Sequence, residues 1–314
     1  MTRIHLRAAA LTGAATLAFA GVLAPASAAL PSSDRTAVEC VEPNEDAAAA
    51  RGAGSDNRGR DHRDVSASEQ RAIEKRTARI LADQNVSKAE ARERARATSI
   101  PVYVHVMRAE DGSGDVTDGQ IARQVDVLNQ TFGGAESTEA PNTGFSFTLA
   151  ETIRYNDDTW HQDKASNKYR SETRQGGADA LNIWLVEFDL LGVATFPWDY
   201  AKKGAIDGIR VHFDSLPGGS IPNYNLGETA THEAGHWLGL YHTFQGGCTP
   251  VNDGVNDTPA QSSPTSGCPA GRDSCDLPGL DPIHNYMDYS FDSCYDRFSD
   301  GQTTRMTDMF AAYR

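Results

Sequence analysis

Ile100-Pro101-Val102-Tyr103-Val104-His105-Val106-Met107 is dense in β-branched and aromatic side chains and predicts the first strand of the chain, which places entry into a folded domain near residues 97–100. His105 within it reads as a structural histidine. Ile121, Val125 and Leu128 recur at helical spacing and predict a helix over Asp118–Phe132. Phe145–Ile153 predicts a second strand, and Leu181–Val186 a buried one. Gly192-Val193-Ala194-Thr195-Phe196-Pro197 ends in a proline, which central strands tolerate badly, and so predicts an edge strand. Gly208–Phe213 predicts another strand, with His212 on its surface, and leads through Pro217-Gly218-Gly219 to an apolar helix carrying Thr231–Leu238. Beyond His242 the periodicity is lost, and Gly, Pro, Asp and Ser dominate until about residue 285. A structureless stretch of that length in a compact domain is functional or pinned. Asp296–Arg314, with Met306, Met309 and Phe310 apolar, predicts a closing helix.

Upstream the pattern differs. A basic start at Met1–Arg7, an apolar run over Ala8–Leu23 and the small-residue site Ala26-Ser27-Ala28 read as a secretory signal peptide covering residues 1–28. No other stretch approaches the ~20 apolar residues of a membrane span, so no membrane partner is expected. Residues 29–65 have almost no large apolar side chains and read as flexible. From Ser66 to about Arg96 the sequence becomes a charged helix or two, with Ser66 and Glu69 spaced as a capping box. Together, residues 29–96 read as a propeptide, an ordinary linker being the second reading.

Charge sharpens this division. Residues 29–96 hold 13 basic and 13 acidic residues, whereas 97–314 hold 14 basic against 30 acidic. Such a surface repels phosphate backbones, which argues against nucleic acid as a partner. Cys248, Cys268, Cys275 and Cys294 cluster in the second half, while Cys40 stands alone. In an exported chain four clustered cysteines read as two disulfides, with three pairings possible; a four-thiolate zinc site is the rival, but no C-x-x-C pair is present.

The candidate chemistry lies in Thr231-His232-Glu233-Ala234-Gly235-His236-Trp237-Leu238-Gly239-Leu240-Tyr241-His242, which contains H-E-x-x-H-x-x-G-x-x-H. His232 and His236 fall one helical turn apart, about 6 Å along the axis, on one face. A straight helix would turn His242 roughly 120° away from them. A break at Gly239, where φ > 0 costs little, brings it back to complete a tripod. Three imidazoles and one open position make a catalytic zinc site, with Glu233 placed as general base for a zinc-bound water.

Asn285-Tyr286-Met287-Asp288-Tyr289, with Met287 lying 45 residues past His242, resembles the Met-turn of the metzincin metallopeptidases. Taken with H-E-A-G-H-W-L-G-L-Y-H-T-F, it resembles the pappalysin family over roughly residues 100–314. That resemblance implies an α+β zincin fold for residues 97–314: a twisted mixed sheet, a zinc-binding helix and an irregular disulfide-pinned C-terminal part ending in a helix. It implies a secreted zinc endopeptidase acting on polypeptides and made as a latent precursor. By the same resemblance Met287 lies beneath the histidines, Tyr289 hydrogen-bonds the oxyanion, the edge strand pairs with substrate, and the disulfides are Cys248–Cys275 and Cys268–Cys294. Asn252–Pro259 is rich in oxygen ligands without matching an EF-hand; the resemblance implies calcium there through Asp253, the Val255 carbonyl and Thr258, and a plain Asn/Asp/Gly turn is the alternative. Asp292 reads either as a pocket acid that favours basic substrate residues or as a solvated acid. Cys40, the odd cysteine, reads as a latency ligand for the zinc or as an idle or intermolecularly paired thiol. The chain is expected to be a monomer. A non-catalytic zinc-binding recognition module is the alternative function, and the carboxylate of Glu233 argues against it.

Overall fold

The computed structural model describes residues 65–85, 87, 89–91, 93 and 99–314. The expectations for the signal peptide, for residues 29–64 and for Cys40 lie outside the described residues. The main elements run in the order α1 (Ala67–Asp83), β1 (Ser99–Arg108), α2 (Asp118–Phe132), β2 (Ser146–Asn156), α3 (Ser166–Thr173), β3 (Leu181–Val186), β4 (Gly192–Ala194), β5 (Ile209–His212), α4 (Glu228–Trp237) and α5 (Asp300–Tyr313).

The strands form one five-stranded sheet in the order β2-β1-β3-β5-β4. β1 pairs parallel with β2 and β3, β3 pairs parallel with β5, and only β4 runs antiparallel, at the edge. The mixed sheet and the edge position of the 192–194 segment are as expected. Period-two alternation decides which residues face which layer. Ile100, Val102, Val104 and Val106 of β1 and Leu181, Ile183 and Leu185 of β3 join one cluster with Ile121, Val125 and Leu128 of α2 and Ala230 and Ala234 of α4. Met107, Trp184 and Val186 turn to the opposite face and pack with Tyr169 of α3.

His105 is structural, as expected: it is buried against Trp184, its Nε2 lies 2.9 Å from Asn182 Oδ1, and burial lowers its pKa to about 4. The surface position expected for His212 is wrong. β5 lies between β3 and β4 with both faces covered, so His212 is only 8% exposed and its Nδ1 accepts the Asp214 N–H at 3.2 Å. α3 left no apolar stripe in the sequence because its inward residues beside Tyr169 are Arg170 and Thr173.

The capping serine of α1 is where the sequence put it: Ser66 Oγ accepts the Glu69 N–H at 3.3 Å. The closing helix begins later than Asp296, at Asp300, because Ser299 and Gln302 make a reciprocal capping box there. The side chain of Arg314, just past the helix, is buried: its guanidinium pairs with Asp207 at 2.6 Å and lies 4.0 Å over Trp237. Asp207 also accepts from Trp237 Nε1 at 2.9 Å and from Thr195 Oγ1 at 2.8 Å, so this acid ties α4 to the end of β4. Between His242 and α5 the described chain is almost wholly turns, pinned by Cys248–Cys275 and Cys268–Cys294. That is the expected pairing, and it removes the four-thiolate zinc alternative. Loops of 27 and 26 residues closed by a disulfide gain about 3–4 kcal/mol each in the chain-entropy account.

Candidate active site

α4 is buried along its whole length, which its small residues Ala230, Ala234 and Gly235 permit. The helix ends at Trp237, and Gly239 takes φ +98°, the left-handed turn its place in the motif demands. The chain reverses there and His242 returns toward His232 and His236. The three Nε2 atoms stand 3.1, 3.0 and 3.2 Å apart.

These contacts are not hydrogen bonds in the ordinary sense. His232 Nδ1–H donates to the Tyr286 carbonyl at 2.7 Å, and His236 Nδ1–H donates to the Leu240 carbonyl at 2.8 Å. A neutral imidazole whose proton sits on Nδ1 presents a lone pair at Nε2. Two such lone pairs meeting at close range repel one another unless a cation lies between them, and the pocket is too buried to hold imidazolium ions cheaply. The triangle suits zinc, since tetrahedral bonds of about 2.0–2.1 Å put ligand nitrogens ~3.3 Å apart. His232, His236 and His242 each offer one buried ligand nitrogen, all within 4.8 Å of one another.

The two orienting carbonyls were invisible to motif reading. Tyr286 O belongs to the Met-turn and Leu240 O to the Gly239 reversal, so one histidine is oriented by the Met-turn and one by the histidine motif's own turn. Met287 is fully buried, and its Sδ lies 2.5 Å from where a Cβ on Gly235 would stand. It therefore fills the notch that this glycine leaves in α4, one residue before His236. Thr243 N donates to the Met287 carbonyl at 3.1 Å, tying the turn to the chain just past His242.

Glu233 is 1% exposed and lies against β4: a Cβ on Gly192 would meet its Cγ and Oε1 at 2.5 Å. The edge strand and the carboxylate are thus neighbours. The Tyr289 hydroxyl stands 3.1 Å from His242 Nε2, at the rim of the triangle.

Leu191, Tyr224, Thr229, Tyr289 and Tyr295 wall a small cavity beside His232 that also holds Glu228 and Asp292. Asp292 is not a solvated acid. It is 4% exposed, and its Oδ2 accepts the Leu226 N–H at 2.8 Å, with the Gly227 and Glu228 amides also bonded to it. It serves as a remote cap for α4, whose own capping position is Gly227 and offers no side chain. Burial nevertheless pushes Asp292 up to about 7 and Glu228 well above the usual carboxylate range.

In the 252–259 loop, Asp253 is 1% exposed and burial pushes its pKa up to about 7. Its Oδ1 accepts the Val255 N–H at 3.0 Å, and the Thr258 hydroxyl is its side-chain neighbour.

With this geometry in place, comparisons with known proteins bear on the chain. The M43 peptidase family model, described as pregnancy-associated plasma protein-A, matches residues 189–311. Extracellular metalloproteases of Colletotrichum graminicola and Neurospora crassa are each 46% identical, over 225 and 224 residues, covering 69% of this chain and 77% and 76% of theirs. The solved structure of mature mirolysin from Tannerella forsythia, in complex with a cleaved peptide, is similar at a TM-score of 0.58 with 30% identity, over 67% of this chain and 90% of that one. A promirolysin variant is similar at a TM-score of 0.62 with 27% identity, over 78% of this chain and 92% of that one.

Proposed function

This chain belongs to the pappalysin family of zinc metallopeptidases and is a secreted zinc endopeptidase made as a precursor, and we propose the division of labour among its residues that follows. His232, His236 and His242 hold the metal. The observation that carries this is the convergence of their Nε2 atoms while two Nδ1 protons are committed to carbonyls. Bound there, zinc supplies a Lewis acid that polarises a peptide carbonyl and acidifies water.

Glu233 takes the proton from the attacking water and returns it to the leaving amine. Its burial against Gly192 limits its freedom and favours one orientation. Tyr289 donates a hydrogen bond to the carbonyl oxygen as negative charge grows on it. β4 presents its outer edge to an extended polypeptide, antiparallel pairing placing the scissile bond beside Glu233. Met287 keeps the floor of the site rigid. Glu228 and Asp292 favour a cationic side chain at the mouth of the cavity beside His232, since an approaching cation draws carboxyls that burial holds toward the neutral form into their charged state. The non-catalytic recognition module is not favoured, because the relatives are metalloproteases.

A digest of denatured protein with the processed enzyme, with new termini sequenced and a chelator control, tests both levels. Cuts that vanish with chelator and cluster next to Lys or Arg support the whole assignment. Chelator-sensitive cuts spread without regard to charge would remove the acidic-pocket part alone.

The remaining proposals concern calcium and latency. Asp253, the Val255 carbonyl and Thr258 hold calcium, which binds the folded loop and so stabilises it by mass action. Stripping calcium with zinc kept saturated should lower the melting temperature by several degrees and increase self-cleavage. Melting curves that superimpose would refute the site.

Residues 1–28 are the signal peptide, 29–96 the propeptide and 97–314 the catalytic domain, which acts as a monomer. Cys40 ligates the zinc in the precursor, a thiolate being a better ligand than water. Cys40→Ala should then give a chain active before any cleavage and recovered already trimmed near residues 94–100, beside Arg92, Arg94 and Arg96. A Cys40→Ala precursor as inert as wild type would show that latency comes from covering of the cleft.

A further inference from the structure

Helix α1 falls inside the segment assigned to the propeptide, yet its contacts lead behind the zinc site. Val65 and Ile73 join Phe196, Trp198, Tyr241 and Met309 in one apolar cluster, and Phe196 in turn lies edge-on to His236 with ring centres 5.5 Å apart. Thr77 Oγ1 and the Tyr313 hydroxyl share a hydrogen bond at 3.0 Å, and Gln245 Nε2 donates to the Val65 carbonyl at 2.8 Å. α1 is therefore seated against α5, the 196–198 segment and the chain just past the Gly239 reversal.

One side chain connects this helix to the reversal itself. Arg305 of α5 is 7% exposed. Its Nη1 donates to Glu74 Oε1 of α1 at 2.6 Å, its Nε donates to the Gly239 carbonyl at 2.8 Å, and its guanidinium lies 4.6 Å over the Tyr241 ring. Gly239 begins the turn whose next carbonyl, on Leu240, orients His236, and which ends at His242. The planar fork of arginine holds both acceptors at once only if both stay in place.

We propose that α1 is a brace for the zinc site: through Glu74 it fixes Arg305, and Arg305, as a positioning residue, fixes the Gly239–Tyr241 turn that delivers His242. The inference rests on the assignment of the three histidines to zinc. It follows that the precursor, which keeps α1, holds its metal more firmly than a form trimmed past residue 85, so that removal of the propeptide loosens the zinc site.

The test uses the full-length chain carrying Glu233→Ala, so that no self-cleavage intervenes, loaded with zinc and mixed with a large excess of a chromogenic chelator well below its melting temperature. Zinc release should be about fivefold faster with Glu74→Ala, intermediate with Glu74→Gln, which keeps an acceptor, and more than about tenfold faster with Arg305→Lys, which keeps the charge but loses the fork. Ile73→Asp, which undocks the helix, should change release in the same direction. The visible absorption of the cobalt-substituted protein should shift with Glu74→Ala and return toward the parent with Glu74→Gln. A purely structural helix would lower the melting temperature while leaving release and the cobalt spectrum unchanged, and that result overturns the brace. Glu74 is about half-exposed, so its variants fold even if Arg305→Lys does not. A parent chain that takes up no zinc would fail the histidine assignment instead, a result distinct from equal release rates.

Discussion

Glu233→Ala should bind one zinc per chain and hydrolyse peptides at less than about a hundredth of the wild-type rate, since a positioned general acid and base contributes typically 10²–10⁴-fold. The two readouts separate because the structure separates the groups. The metal is held by three imidazole nitrogens whose orientation depends on Tyr286 and Leu240, and Glu233 takes no part in those bonds. Its side chain lies on β4 at Gly192. Metal content by atomic absorption and turnover of a quenched peptide together decide the matter. Retained turnover above that level would sink the general-base role, and loss of zinc along with activity would mean that the carboxylate helps build the site.

Most of the site was legible because the chemistry is local. H-E-x-x-H-x-x-G-x-x-H places two ligands by helical arithmetic and the third by one glycine, and φ +98° at Gly239 is the conformation that arithmetic required. Met287 was legible by its turn, and the disulfides by resemblance. What escaped was whatever depends on two distant segments meeting. The carbonyls of Tyr286 and Leu240 carry no side-chain signal. Asp292 looked free to be a solvated acid, yet it caps α4 from 64 positions beyond Glu228. His212 was misplaced because a short strand reveals its period but not how many layers cover it. α3 and the Asp207–Arg314 lock are held by buried polar groups, which a search for apolar stripes passes over. For α1, the helix and its serine cap were readable, but its seat on α5 was not, since Ile73 and Thr77 make a stripe too thin to announce a partner.

Gly192 offers the sharpest test of how Glu233 is held. Its φ lies outside the left-handed region, so alanine suits the backbone there and β4 can keep its pairing with β5. The nearest obstacle is Glu233, since a Cβ would stand 2.5 Å from both its Cγ and its Oε1. Both residues are buried, so the clash is relieved by turning the carboxylate away from its place beside the metal. A displacement of about 1 Å from productive geometry costs on the order of 10²-fold, so Gly192→Ala should lose about that much kcat while zinc content stays at one per chain and melting changes by only a few degrees. Glu233→Asp draws the carboxylate back by one methylene and leaves room for the new methyl. Adding Gly192→Ala to Glu233→Asp should therefore cost far less than adding it to wild type, and the difference is the coupling between the two positions. If Gly192→Ala keeps wild-type kcat, or costs the same in both backgrounds, then Glu233 does not rest on the edge strand in the working enzyme, and the placement of substrate along β4 loses its anchor.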